Sequence, residues 1–175
     1  WSSVNQHAGD ESFGIDNARL SKSTSLVSNF DLGSHDGFSC GKVQTCGAWG
    51  NICGGYGVKG VHSSIAKTLT GLHSGAPYTV SLDFIKIDSW DNEHAYVSVD
   101  GVTKWQKTGL MYHHGTQVCG AGHRDWHEAK YATGNLKFTA HGSSAVIKAW
   151  SSVNQHAGDE SFGIDNVKFT AVPTP

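Results

Sequence analysis

The chain has no surplus of charge of either sign: 13 lysines and arginines against 15 acids leave a formal net charge of −2 and a pI near 6.6. Nucleic acids and anionic membrane surfaces are held through basic patches, so this balance argues against both as partners. It has no apolar run long enough to span a bilayer. Its opening residues carry no charged, apolar and small-residue leader, which reads as a mature or processed segment. No Asn-x-Ser/Thr triplet occurs, so N-linked glycosylation by that route is not expected. Catalytic signatures are missing as well. There is no GxSxG elbow for a serine nucleophile, and the HRDWH stretch lacks the glutamate that HExxH zinc proteases use as general base. The sequence is therefore read as non-enzymatic.

What is present is period-2 alternation. Residues 63–72, 78–88, 94–108, 134–142, 144–153 and 162–172 are rich in β-branched and aromatic residues on alternate positions, the pattern of half-buried strands. HSGAP, DSWDNE, Asp100-Gly101 and HGSS separate them with turn chemistry, and Asp-Gly between alternating segments is a strong hairpin signal. No window of eleven or more residues keeps capped helical spacing, leaving HRDWHEAKYA at 123–132 as the one stretch suited to a helical turn or short helix. A chain of 175 residues with 38 % hydrophobic content supports one domain. About eight strands in one domain predict an all-β, antiparallel, two-sheet jelly-roll sandwich, with an immunoglobulin-like sandwich as the alternative.

Four cysteines, Cys40, Cys46, Cys53 and Cys119, point to an oxidising compartment and secretion. Three of them lie in residues 34–60 among eight glycines, a segment too poor in apolar groups to pack on its own. Disulfides are expected to hold it, with Cys119 paired to Cys53 or Cys46. Tetrahedral zinc is the competing reading, weakened by the lack of any CxxC pair.

The block WSSVNQHAGDESFGIDN occurs twice, at residues 1–17 and 150–166, and the copies continue in parallel as ARLSKSTS and VKFTAVPT. Seventeen consecutive identities mark a repeat boundary. Residues 1–22 then read as the closing strand of a preceding repeat or as a strand shared between subunits, residues 27–172 as the jelly-roll domain, and 173–175 as the start of a stiff Pro-Thr-Pro linker.

Acidic residues gather at Asp88, Asp91 and Glu93 in one loop and at Asp159, Glu160 and Asp165 before and within the last strand, with Asp31 a further candidate because jelly rolls often set first and last strands side by side. Clustered hard oxygen donors suit calcium, which also relieves their mutual repulsion, although no twelve-residue EF-hand loop is present. The bland reading is solvated turns. His113, His114, His123 and His127 could hold a transition metal only in a helical setting, and surface histidines are the default. Trp49, Trp90, Trp105, Trp126 and Tyr56 fall in or near loops, where exposed rings stack on sugars or anchor interfaces and buried ones fill a core.

GGYGV at 54–58, YTVSLDFIKIDSWDNEHAYVSVDG at 78–101, VCG at 118–120 and DESFGIDNVKF at 159–169 together resemble the tandem repeats of large secreted protist proteins, over residues 27–172. Asn92 stands where those repeats have glycine and Phe162 where they have tryptophan. The closing strand is similar to that of MAM-like and carbohydrate-binding-module jelly rolls. The resemblance implies an extracellular, often tandem jelly roll with a metal near its closing strand.

Two functions follow as expectations. The leading one is a structural unit of an extracellular filament or surface coat, joined head to tail to identical subunits or adjacent repeats through the duplicated segment. The alternative is a calcium-dependent, lectin-like carbohydrate-binding module.

Overall fold

A computed structural model describes residues 25–173; the duplicated residues 1–17 and the boundary assigned at residue 22 lie outside them, as do the last two linker residues. The described chain forms strands β1 (Ser25–Ser28), β2 (Val43–Thr45), β3 (Asn51–Gly54), β4 (Ser64–Thr70), β5 (Pro77–Asp88), β6 (Asp91–Val99), β7 (Val102–Met111), β8 (Ala129–Ala132), β9 (Leu136–Thr139), β10 (Ser144–Ser151) and β11 (Glu160–Ala171). All pairings are antiparallel and fall into two sheets. The larger runs β2-β3-β11-β5-β8, with β1 against the second half of β11 and β9 against the first half of β5; the smaller runs β4-β10-β6-β7. The expected all-β two-sheet sandwich is what the chain forms.

The alternation explains the assembly. Tyr78, Val80, Leu82 and Phe84 of β5 point inward, as do Ala145, Ile147 and Ala149 of β10. Opposite them β11 contributes Phe162, Ile164, Val167 and Phe169. Phe84 stacks on Phe162 with centroids 5.4 Å apart, and Tyr78 on Phe169 at 5.2 Å. Each such buried ring contributes roughly 2–3 kcal/mol by transfer alone. Asp100 and Gly101, both at positive φ (48° and 78°), close β6 onto β7 as a two-residue hairpin, for which Asp-Gly is well suited.

Two expectations need correction. The strands number more than eight, because β1, β2, β3 and β8 are only three or four residues long and carry too little alternation to be read. Residues 123–132 form no helix. Ala129–Ala132 instead pairs with β5, since the backbone groups on that side of the long strand need partners and a sheet edge supplies them. Ser25↔Thr170 is the first pair of the β1–β11 ladder.

The cysteines form Cys40–Cys53 and Cys46–Cys119, which disposes of the zinc reading. The glycine-rich segment adds β2 and β3 to the large sheet, and its connecting turns fold over the outer face. There Cys46, Ile52, Ile85 and Ile87 make a second apolar cluster covered by Trp49, Tyr56, Val118 and Cys119. Cys46–Cys119 spans 73 residues and Cys40–Cys53 spans 13. In the chain-entropy account the first loop stabilises by about 4 kcal/mol and the second by about 3 kcal/mol. Guanidinium unfolding of the Cys46→Ala/Cys119→Ala pair should therefore show the larger loss of stability, with Cys40→Ala/Cys53→Ala losing less.

Candidate functional site

The connection from β5 to β6 is a tight corner between the sheets. Asp88 and Asn92 adopt positive φ of 67° and 103°, and Ser89 donates through both its amide and hydroxyl to the carbonyl of Asp159, just before β11. Trp90 turns inward from this corner. It is fully buried, and its indole N–H donates to the Ser161 carbonyl at 3.0 Å. It is thus a core residue and offers no stacking surface.

The corner brings together Asp91, Glu93 and Glu160, with one carboxylate oxygen of each within 4.8 Å of the others. Glu160 is fully buried; one of its oxygens accepts the amides of Asn154 (3.0 Å) and Gln155 (3.1 Å), while the other, Oε1, has no partner. Glu93 accepts the amide of Asp91 and the Asn154 side-chain amide at 3.2 Å. Burial, the neighbouring Asp91 carboxyl and the charge of Glu160 push Glu93 up to about 7, and burial with the charges of Asp91 and Asp159 raises Glu160 as well. An orphaned buried oxygen among carboxylates that resist ionising together fits a hard cation. An all-oxygen donor set suits calcium better than zinc or copper. Asp91, exposed, gives the group access to solvent.

The remaining acidic candidates lie elsewhere. Asp159 bonds the ring of His156 at 2.9 Å. Asp88 turns into a separate buried pair with Glu128, beside the buried ammonium of Lys86. That ammonium donates to the carbonyls of Asp88 (2.9 Å), His127 and Tyr112, and burial lowers Lys86 to about 8. Both Asp88 oxygens accept the Ala121 amide at 3.0 Å, and Glu128 accepts the amides of Val118 and Cys119. Gly120 passes so close that a Cβ would collide with the Asp88 carboxylate. These acids clamp the loop that carries Cys119. Asp31 and Asp165 sit on the outer face of the large sheet: β1 and β11 do lie side by side. There Lys130 lies 3.7 Å from Asp165 and 3.9 Å from Asp83, and 5.2 Å over the ring of Trp49.

Trp105 packs on the core near Phe84, and Trp49 and Tyr56 cover the isoleucine cluster, so these rings are engaged within the domain. Trp126 lies 4.5 Å from the ring of His123 in the loop before β8. Among the described residues no group of histidines meets the geometry of a metal site; His113 and His114 merely contact edge to face.

The aromatic pair that faces outward is one the loop-centred reading missed. Tyr96 of β6 and Trp150 of β10 are direct cross-strand partners on the outer face of the small sheet, stacked at 5.1 Å and 16°. On the β4 side of Trp150 opens a groove of about 540 Å³, lined by Val61, His62, Ser63, Ser64, Lys148 and the residues from Trp150 to Asn154. Asn154 joins the two features, since it lines the groove and donates to both Glu93 and Glu160.

No protein-family model matches the chain, and neither does any curated protein. Among solved structures it is similar to the C-terminal domain of EclA, a sugar-binding protein, with 17% identity, a TM-score of 0.42, and coverage of 97% of this chain and 89% of that one. It is also similar to the xylan-binding CBM22-1 domain of Xyn10C from Paenibacillus barcinonensis, with 13% identity, a TM-score of 0.47, and coverage of 86% and 95%. A third similarity is to the C-terminal CBM6 of LamC from Zobellia galactanivorans, with 9% identity, a TM-score of 0.42, and coverage of 84% and 99%.

The clamp formed by Asp88 has a pH signature. Burial, outweighing its bond from Ala121, and the nearby Glu128 charge raise Asp88 from 3.8 to about 6. A carboxyl whose folded pKa is raised binds more protons folded than unfolded, so its contribution falls as pH climbs from about 4 to about 6. Asp88→Asn keeps an acceptor for Ala121 and offers a donor to the unpartnered Glu128 Oε1. Urea titrations should show that variant gaining roughly 1–3 kcal/mol relative to wild type between about pH 4 and pH 7.

Proposed function

We propose that the domain is a non-catalytic, extracellular glycan-binding module whose site is the groove beside Trp150. One observation carries the reading: an indole backed by a stacked tyrosine on a solvent-facing sheet, bordering a groove lined with hydroxyl, amide, imidazole and ammonium groups. A sugar ring presents an apolar C–H face and a rim of hydroxyls. The indole accepts the first, and Ser63, Ser64, Ser152, Asn154 and His62 supply partners for the second. Tyr96 supports the indole from behind, which keeps the ring upright before ligand arrives. The two disulfides fit an oxidising compartment.

Asp91, Glu93 and Glu160 would hold calcium, whose charge neutralises the three acids. In this reading the ion fixes the groove rim through the residue that the two sites share, Asn154.

A second reading, assembly of identical repeats into a filament or coat, is supported by the identity of residues 1–17 with 150–166. Light scattering of the intact chain across a concentration series tests it, growth with concentration supporting assembly and a constant monomer mass removing it.

Isothermal titration against a panel of soluble oligosaccharides should give saturable binding to some member, with Kd of about 10 μM to 1 mM. Trp150→Ala should weaken it at least about tenfold, roughly 1.5–3 kcal/mol, without lowering the melting temperature much, because the ring is only half-buried. A Trp150→Ala protein that binds as well as wild type would remove the groove from consideration. Calcium at about 100 times its Kd should raise the melting temperature by roughly 5–10 °C, and EDTA should reverse the rise. Glu160→Gln should abolish that response, while Asp165→Asn, farther along the same strand on the outer face of the sheet, should leave it intact.

A further inference from the structure

Lys148 stands exposed on the outer face of the small sheet without a counter-charge. Its cross-strand neighbours are Ala66 on β4 and Ser98 on β6, and Val146 and Trp150 precede and follow it on the same face of β10. No carboxylate pairs with it among the described residues, whereas Lys130 lies within reach of both Asp83 and Asp165. The Lys148 ammonium instead lies 5.6 Å from the centroid of the Trp150 ring, and the side chain lines the groove. Tyr96 is stacked on one face of that indole, which leaves the other face to the ammonium and the groove. The rest of the lining includes the His62 imidazole and several hydroxyls but no acid. Beside it the Lys59 ammonium donates to the carbonyl of the lining residue Ser64 at 3.0 Å, a second positive charge next to the groove. Glu93 and Glu160 approach from behind Asn154, both buried and both accepting its N–H groups.

We infer that the groove selects sugars carrying an anionic group, a uronate carboxylate or a sulfate ester, and that Lys148 is the residue that reads the charge; this rests on the glycan-binding reading and deepens it. A pyranose stacked on the indole turns its rim outward, and in a hexuronate the carboxylate is attached directly to that rim. An ammonium on the same side of the indole is placed to receive it in a charge-assisted hydrogen bond, roughly twice as strong as a neutral one. A neutral sugar has the weaker claim. It must share the indole face with Lys148 and disturbs the cation–π contact without offering a counter-charge. Lysine is a compact point charge with three donors on a flexible stem, so a planar carboxylate and a tetrahedral sulfate are equally acceptable to it. The preference is local, because a net charge of −2 gives the chain no general attraction for polyanions. The walls are also fixed in advance: the Val61 amide donates to the Gln155 carbonyl at 3.1 Å and the Gly57 amide to the Ala157 carbonyl at 2.9 Å, tying the loop of His62 to the loop of Asn154.

The test is isothermal titration of the full chain, with calcium present throughout, against matched pairs of trisaccharides. Galacturonate, glucuronate and mannuronate trisaccharides are each set beside their methyl esters, and a sulfated galactan trisaccharide beside its desulfated form. At least one acidic member should bind about tenfold more tightly than its neutral counterpart, and the pair that shows this separates carboxylate from sulfate as the group recognised. Lys148→Met keeps an unbranched apolar stem and removes the charge. In that variant the preference should shrink to within about twofold, with neutral affinity and melting temperature close to wild type. Raising NaCl from about 50 to about 500 mM should weaken the acidic member in wild type and barely affect it in Lys148→Met. Equal binding of acidic and neutral members would overturn the inference while leaving the glycan-binding reading in place, as would a preference that survives Lys148→Met. Absence of binding by every oligosaccharide, acidic and neutral, would instead remove the glycan-binding reading and the inference with it.

Discussion

The pairing of β5 with β11 is the constraint on which the rest of the molecule depends. The two longest strands run against one another from Glu160↔Asp88 to Ala171↔Tyr78, at the centre of the large sheet, and their inward residues supply Phe84, Phe162, Tyr78 and Phe169 to the core. Every other strand of that sheet except β2 pairs with one of these two. Because side chains alternate with period 2, the register that sends Phe162 inward also sends Glu160 toward the corner and Asp165 toward the outer face. Sliding β11 by one residue would exchange core and surface and dissolve the carboxylate cluster at the same time.

That coupling makes the candidate cation site and the groove parts of one mechanical unit. The backbone of Asn154 and Gln155 hangs from Glu160, and the side chain of Asn154 reaches Glu93 across to the other sheet. The loop that leaves the stacked indole of Trp150 therefore ends on the acids.

Much of the architecture was legible in the alternation of β5, β6, β10 and β11, where apolar residues of one parity are long and branched. The short strands were not, since three or four residues show no periodicity and acquire strand geometry only from the neighbour they complete. Glu93 and Glu160 could be proposed as ligands from oxygen chemistry, but sequence could not separate them from Asp88 and Asp165, whose directions are set by positive-φ corners and a bulge. The aromatic platform was overlooked for a different reason. Attention to loops favoured Trp90, which is buried, whereas Tyr96 and Trp150 occupy the outward parity between inward Ala95 and Val97 and after inward Ala149, a signal present in the pattern itself. Glu128 and Lys86 gave no warning, because only the approach of the Cys119 loop makes them partners.

The antiparallel contact of β1 with β11 also decides how the domain bears load. Ser25 and Thr170 face each other, so the chain enters and leaves at the same end of the sheet. Tension applied through both ends pulls across the strands and opens their hydrogen bonds one after another, like a zip, where a shearing geometry would load them all together. Pulled through those two ends, the described domain yields strand by strand at low force.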